Sequence, residues 1–348
     1  LQGARQVGKT WLMREFGRRE FKSTAYFNFE STRELAAIFR QDLNTTRIIR
    51  SLEILHGSPI NPAETLIVFD EIQECHEAIT ALKYFQENQP GMFIMAAGSL
   101  LGVAIHQGIS FPVGKVTFMN LQPMGFHEFL RATGQDILAQ TLETGDLTLI
   151  SPFADMLISR LKEYFFVGGM PEVVKVFADS HDLNKVRALQ QDIITAYEND
   201  FSKHAPPNQL PRIRMVWQSI PGQLAKENSK FIYSILRKGS RAKEFEAALE
   251  WLKDAGLILK VNRITRPGIP LGTYAIWTDF KIYLHDTGLM GAMANLSPNA
   301  VLKGHELFTE FKGKLSEQFV IQQMVLKEKP GFYWNPENAK SEVDFVIQ

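Results

Sequence analysis

Apolar residues follow two different periods along this chain, and the change from one to the other divides it. From residue 1 to about 130, short runs rich in β-branched and aromatic residues alternate with stretches whose apolar positions recur every three or four residues. The runs are Ser23 to Phe29, Thr65 to Phe69, Met92 to Ala97 and Gly114 to Leu121; Thr10 to Phe16, Thr32 to Phe39 and His76 to Glu87 are helix candidates between them. This alternation predicts an α/β architecture, a parallel sheet with helices on both faces. From about Leu130 to Phe201 the period is helical, broken at Gly168-Gly169-Met170-Pro171, where two glycines and a proline must turn the chain. Residues 131–205 therefore read as a helical lid or connector.

Residues 206–272 change character, opening with Pro206-Pro207 and closing with Pro267-Gly268-Ile269-Pro270. Phe245, Ala248, Leu249 and Leu252 recur at helical spacing, Gly256 stops that helix, and a β-rich run follows from Leu257 to Arg263. Helices followed by such a strand resemble a winged-helix unit. Over 273–348 a helix from about Gly313 to Lys327 and strands at Gly331 to Trp334 and Glu342 to Ile347 read as the start of a further α/β domain, which stops in mid-domain. Leu1 in first position, and only two residues before Gly3, make a truncated chain the expectation.

Composition narrows the class. With 348 residues, 45% hydrophobic and 22% charged, the chain is long enough for two or three domains and unlike a disordered or fibrous sequence. Its 38 Lys and Arg balance 38 Asp and Glu, so no global field draws nucleic acid or an anionic membrane. The one cysteine, Cys75, excludes an internal disulfide framework and a Cys-rich zinc site, and fits a buried thiol in a reducing cytoplasm. The uncharged stretch from Asn88 to Gly114 is long enough to cross a membrane, but Pro90, Gly98, His106 and Pro112 among others interrupt it, so no membrane span is expected. No signal peptide is visible.

Gly3-Ala4-Arg5-Gln6-Val7-Gly8-Lys9-Thr10 has the spacing of a phosphate-binding P-loop. Glycines let backbone N–H groups wrap a β-phosphate, Lys9 neutralises the β/γ oxygens, and Thr10 offers a hydroxyl to Mg²⁺ at the start of the next helix. The pattern arises by chance in roughly one chain of this length in a hundred. Leu66-Ile67-Val68-Phe69-Asp70-Glu71 supplies the complementary half: a buried strand, Asp70 at its carboxyl end for the Mg²⁺ shell, and Glu71 to activate a water against the γ-phosphate. That second carboxylate points to hydrolysis. Phe93 to Ala97 followed by Gly98-Ser99 ends a third strand in a small polar residue, and Ser99 is a candidate γ-phosphate sensor. No arginine finger is assigned; Arg40, Arg47 and Arg50 are candidates.

On these residues the chain resembles the prokaryotic AAA+-like P-loop ATPases that carry a C-terminal domain of unknown function. Supporting strings are Phe69-Asp70-Glu71-Ile72-Gln73, Gly98-Ser99-Leu100-Leu101, the segment Pro123-Met124-Gly125-Phe126-His127-Glu128-Phe129-Leu130, the Gly168 to Pro171 lid motif, Lys281 to Leu289, and Glu342 to Ile347. Met124-Gly125 departs mildly from the family's Leu-Ser. The resemblance implies ATP and Mg²⁺ as cofactors. It also implies a C-terminal domain of the restriction-endonuclease-like fold, in which Glu317 on the helix and Asp344 on the strand would be metal ligands and a Glu-x-Lys element would lie past Gln348. Equally open is a structural role, with Glu317 pairing and Asp344 ending a strand.

Between Phe201 and Pro270 there are 13 Lys and Arg against 5 Asp and Glu, a local +8. DNA binding and a merely solvated basic face both remain open, because the helix that would read DNA carries Lys243, Glu244, Glu246, Glu250, Lys253 and Asp254, a net −2 that would repel phosphates. Arg212, Arg214, Lys238, Arg241, Lys260, Arg263 and Arg266 would have to carry any DNA contact. The expected function is an Mg·ATP-hydrolysing conformational switch; the rival is a DNA-binding or DNA-cleaving module that the ATPase gates, with a homo-oligomer or protein partner in either case. No His-x₃-His spacing and no guanine-specifying Asn-Lys-x-Asp string occurs.

Overall fold

The computed structural model describes all residues except 100–102, 104–113, 226–229, 304–308, 330 and 337–341. It divides into two units, residues 1–121 and 122–348.

In the first unit, β1 (Ser23–Asn28), β2 (Thr65–Asp70) and β3 (Phe93–Ala96) form a parallel sheet with β2 in the middle. All six residues of β2 are buried, as a continuous apolar run covered on both faces requires. Alternate side chains go to opposite layers. Ala25, Phe27, Ile67 and Phe69 meet α2 (Arg33–Gln41), α3 (Thr45–His56) and α4 (His76–Asn88) through Leu35, Phe39, Ile48, Leu52, Ile79 and Phe85. Phe69 is ringed by Phe29, Phe39 and Phe85 at centroid distances of 5.7, 5.6 and 6.3 Å. On the other layer Leu66 and Val68 pack with Met13 of α1 (Lys9–Glu20). Helices therefore lie on both faces, as the alternation predicts.

Two local differences from the sequence expectation have plain causes. The helix α3 was absent from the helix candidates, although Asn44 caps it by accepting from the Arg47 N–H at 3.1 Å and Gly57 ends it at φ 78°. Its core residues Ile48, Ile49 and Leu52 lie close together in sequence, so the stripe is short. The strand expected over 114–121 contracts to a single parallel bridge between Asn120 and Gln2. Gly114, at φ 75°, turns the chain there, and Gln2 exchanges backbone hydrogen bonds with Met119 and Leu121. Cys75 is buried, and burial pushes its thiol pKa up. No helix among the described residues is long and apolar enough to cross a membrane.

The second unit starts at Gln122, so the Pro123 to Leu130 segment belongs to it and begins α5 (Phe126–Ala132). Helices α6 (Asp136–Glu143), α7 (Ala154–Val167), α8 (Pro171–Ser180), α9 (Leu183–His204), α10 (Leu210–Leu224) and α11 (Ala242–Asp254) follow. Gly168 and Gly169 separate α7 from α8, and Pro171 opens α8, where its missing N–H costs nothing. The sheet of this unit has the order β5-β4-β6-β7, from β4 (Ile258–Ile264), β5 (Ala275–Leu284), β6 (Phe332–Trp334) and β7 (Val343–Val346). β4 pairs antiparallel with β5 and parallel with β6, and β6 antiparallel with β7. The boundary expected at 272/273 thus falls in the connection of one β-hairpin, and the hairpin that a winged helix would use as its wing belongs to a sheet completed by residues 332–346.

A buried polar set ties the helices to the end of β5. Asp286 accepts the Gly169 N–H on Oδ2 at 2.6 Å and the Leu289 N–H on Oδ1 at 2.8 Å, which caps α12 (Thr287–Met293). An added Cβ on Gly168, at φ 78°, would lie 2.3 Å from Asp286 Oδ1, and one on Gly169 would lie 2.0 Å from the Met124 carbonyl. Both glycines are therefore required. Gln190 donates to the Phe166 and Val167 carbonyls, and Gln322 of α13 (Thr309–Leu326) accepts from Thr287 and donates to Tyr164. Burial raises the Asp286 pKa to about 6, against the pull of the Gly169 and Leu289 N–H groups.

Replacing Asp286 with Ala would strand two buried N–H groups. We expect a loss of about 2–4 kcal/mol of unfolding free energy in the second unit, read by denaturant melting. A loss below about 0.5 kcal/mol would contradict the role given to this carboxylate.

Candidate active site

The loop before α1 is bent by residues in the left-handed region. Gly3, Gln6 and Gly8 have φ of 143°, 66° and 94°, and a Cβ on Gly3 would lie 2.2 Å from the Leu121 carbonyl oxygen. Left-handed residues alternating with ordinary ones turn successive backbone N–H groups toward one concavity, an anion nest. No side chain caps the amino end of α1, so that end faces the same place with its dipole uncompensated. Ala4 and Val7 are buried and anchor the loop from beneath.

Lys9 begins the helix and is itself buried. Its ammonium donates to the Gly3 carbonyl at 2.9 Å and the Ala4 carbonyl at 2.7 Å. Burial lowers its pKa to about 8, an effect that Glu71 and Asp70 oppose and Arg5 adds to. Next to it, the Thr10 hydroxyl donates to Asp70 Oδ2 at 2.6 Å. Asp70 ends the buried strand β2 beside Asn28 of β1, which sets its carboxylate at the mouth of the loop. Hydroxyl and carboxylate oxygens are the donor set a hard divalent cation prefers, so Thr10 and Asp70 fit Mg²⁺.

Glu71 follows at φ 51°, a left-handed conformation that a non-glycine residue keeps only when its surroundings impose it. That turn separates its carboxylate from the Asp70 side chain, and Oε2 accepts from Gln73 Nε2 at 2.7 Å and from Ser99 Oγ at 3.2 Å. Lys9, Thr10, Asp70, Glu71 and Ser99 are thus brought into one neighbourhood. Leu100 and Leu101 lie outside the described residues.

Sequence reasoning missed Gln73 and Tyr26. The Tyr26 hydroxyl donates to Asp70 Oδ2 at 2.7 Å, onto the oxygen that Thr10 also reaches, and the Arg14 guanidinium lies 3.9 Å from its ring centroid. Burial, with Asp70 alongside, raises its pKa and keeps it a proton donor. A signal was present: Ala25 and Phe27 alternate toward the apolar layer, and the residue between them carries a hydroxyl on the face of α1.

Of the finger candidates, Arg47 is bound to Asp42 and to the Ile38 carbonyl, and Arg40 lies 3.7 Å from Glu77. In the basic segment Arg237 pairs with Glu244, Lys253 and Lys260 with Glu250, and Lys230 and Arg263 with Asp279. Arg214 donates to Ser202, Arg212 to the Asn208 carbonyl, and Arg266 to Tyr274. Lys226 and Glu227 lie outside the described residues. Five of the thirteen basic residues thus face acids, three carboxylates in all. Glu317 and Asp344 also meet, around Lys281.

Residues 1–130 match the family model described as an AAA domain. The first part of the chain is therefore similar to AAA domains. This similarity spans the P-loop and the Asp70–Glu71 strand and supports ATP binding and hydrolysis. Residues 158–300 match a second model, a domain of unknown function (DUF8612), which assigns no activity. No curated protein matches. Among solved structures, a Walker-type ATPase of Pyrococcus abyssi is similar at 14% identity and a TM-score of 0.48, over 84% of this chain and 89% of that one.

Two outcomes follow from the geometry. A bound phosphate favours the Lys9 ammonium, whereas the free protein loses that proton above pH of about 8. Affinity for ATP should therefore weaken as pH rises through 8, toward tenfold per unit, in a fluorescent-nucleotide titration between pH 7 and 9.5. Lys9→Arg should flatten the profile, since guanidinium stays charged; an equally steep profile in that variant would remove Lys9 as its source. Tyr26→Phe should leave nucleotide affinity without Mg²⁺ unchanged and raise the Mg²⁺ needed for half-maximal turnover by roughly tenfold, the worth of one hydrogen bond to a carboxylate. An unaltered Mg²⁺ requirement would count against a positioning role.

Proposed function

We propose that this chain hydrolyses Mg·ATP at the Gly3–Thr10 loop and uses the cycle to switch conformation. The observation that carries the reading is the division of labour between adjacent carboxylates: Asp70 receives the Thr10 hydroxyl at 2.6 Å, while Glu71 is turned away to Gln73 and Ser99. One carboxylate serves a cation shell, and the other is oriented as a base.

In this reading the loop N–H groups and the amino end of α1 hold the β-phosphate, and Lys9 moves from the Gly3 and Ala4 carbonyls to the β/γ oxygens. Mg²⁺, when bound through Thr10 and Asp70, supplies charge neutralisation at the γ-phosphate. Glu71 accepts a proton from the attacking water. Ser99 and Gln73 keep its Oε2 directed, so the general base is fixed before substrate arrives. Adenine as the base rests on the similarity to AAA domains. The later chain, whose 206–272 and 273–348 segments share one sheet through β4, is read as the target of the switch. DNA is not adopted as the partner: the helix Ala242–Asp254 carries a net negative charge, and Lys260 and Arg263 already face acids.

The test is phosphate release from ATP by the protein, by Lys9→Ala and by Glu71→Gln, each with and without duplex DNA. Lys9→Ala should lose nucleotide binding. Glu71→Gln should bind normally with turnover reduced at least a hundredfold, and DNA should leave the rate unchanged. Undiminished turnover in Glu71→Gln would take this residue out of the mechanism, and a DNA-stimulated rate would restore the rival reading.

A further inference from the structure

The second unit gathers charge around one lysine. Lys281 lies on β5 with its side chain fully buried, and its register partner on β4 is Val261. Such a group survives burial only if its charge is matched. Its Nζ contacts Glu342 Oε1, lies 3.2 Å from Asp344 Oδ1 and 3.5 Å from Glu317 Oε2, and sits 5.0 Å from the centroid of the Tyr333 ring. Glu317 is further committed: Lys314 donates to its Oε1 at 2.8 Å and the Tyr283 hydroxyl to its Oε2 at 3.0 Å. Burial disfavours the ammonium, but Glu317, Glu342 and Asp344 together outweigh it and raise the Lys281 pKa, so the cation is permanent at neutral pH.

A nuclease centre would need these carboxylates to converge on a divalent ion. They converge instead on a nitrogen supplied by the chain. With the ammonium in place the carboxylates leave no position for a metal ion, and the Tyr333 ring at 5.0 Å adds an aromatic face that attracts an ammonium. Among the described residues, no group of three or more His, Cys, Asp or Glu is arranged to hold a metal ion.

We propose that Lys281 is a resident cation, whose ammonium takes the position a divalent ion would occupy between Glu317, Glu342 and Asp344. The cluster is then a closed structural centre that joins α13, β5 and β7, and the second unit does not cleave phosphodiesters through it. This inference is independent of the ATPase reading, since no residue of the P-loop enters it.

The test is Mn²⁺ uptake by nucleotide-free protein, read from the loss of the free-ion electron paramagnetic resonance signal. All samples carry Asp70→Asn, which removes the P-loop site. With Lys281 intact, no equivalent should bind at about 100 µM Mn²⁺, well above the affinity of a working carboxylate site. Lys281→Met, which keeps the stem and removes the charge, should take up one equivalent and lose it again when Asp344→Asn is added. One equivalent bound with Lys281 intact and abolished by Glu317→Gln would overturn the proposal, as would a Lys281→Met protein that folds and binds nothing. If Lys281→Met does not fold, the melting temperature of Glu342→Gln decides. A resident ammonium that loses a partner lowers it, whereas relief of repulsion in a vacant metal site would raise it and overturn the proposal.

Discussion

A carboxylate at the end of a completely buried strand has to find its hydrogen bonds nearby, and Asp70 is that carboxylate. β2 is closed in on both faces, so Asp70 cannot turn to water as a surface aspartate would. Thr10, Tyr26 and its own neighbour Glu71 supply the donors, the last through its N–H to Oδ1 at 3.1 Å. Thr10 ties the phosphate loop to the sheet, Tyr26 ties β1 to it, and the bend at Glu71 frees the second carboxylate for separate work. Burial of one strand thus organises three elements around one oxygen pair.

The second unit meets the same difficulty with different means. Its interior holds Gln190, His285, Asp286, Thr287, Gln318 and Gln322, all buried. Gln318 exchanges both of its amide bonds with the Leu284 backbone, and His285 shares its ring nitrogens between the Leu257 carbonyl and Tyr197. Burial lowers the His285 pKa to about 4, so it stays neutral where an ion would have no counter-charge. Gln190 Oε1 alone of this set meets no donor among the described residues; networks paired as closely as the rest fix one arrangement of a core more sharply than apolar packing does.

Much of the first unit was legible because its physics is local. The glycine spacing at 3 and 8, the apolar run 66–69 before two acids and the helical periodicity at 10–16, 32–39 and 76–87 each express their structure within a dozen residues. What stayed hidden depends on partners far along the chain. Tyr26 acts on a residue of the neighbouring strand, and nothing near it in sequence names that partner. Lys281 opens one of the strings that carry the resemblance, but nothing near it in sequence gives it partners until Glu317 and Asp344 arrive from other elements. The expected separation at 272 failed to register that Ile264 would pair with Trp334, a contact between segments seventy residues apart. Gly168 and Gly169 were recognised as a break, but their second requirement, close approach by Asp286 and Met124, exists only in the folded unit.

The burial of Cys75 has a practical meaning for following the proposed switch. It is the chain's only thiol and is 1% exposed, set between the turn after Glu71 and α4. The native protein is in effect silent toward thiol-directed labels under folding conditions. A cysteine introduced at an exposed position of the first unit, such as Ile54, and another at Trp277 in the second would react alone. Spectroscopic rulers could then follow the two units through a nucleotide cycle without first engineering away a native thiol.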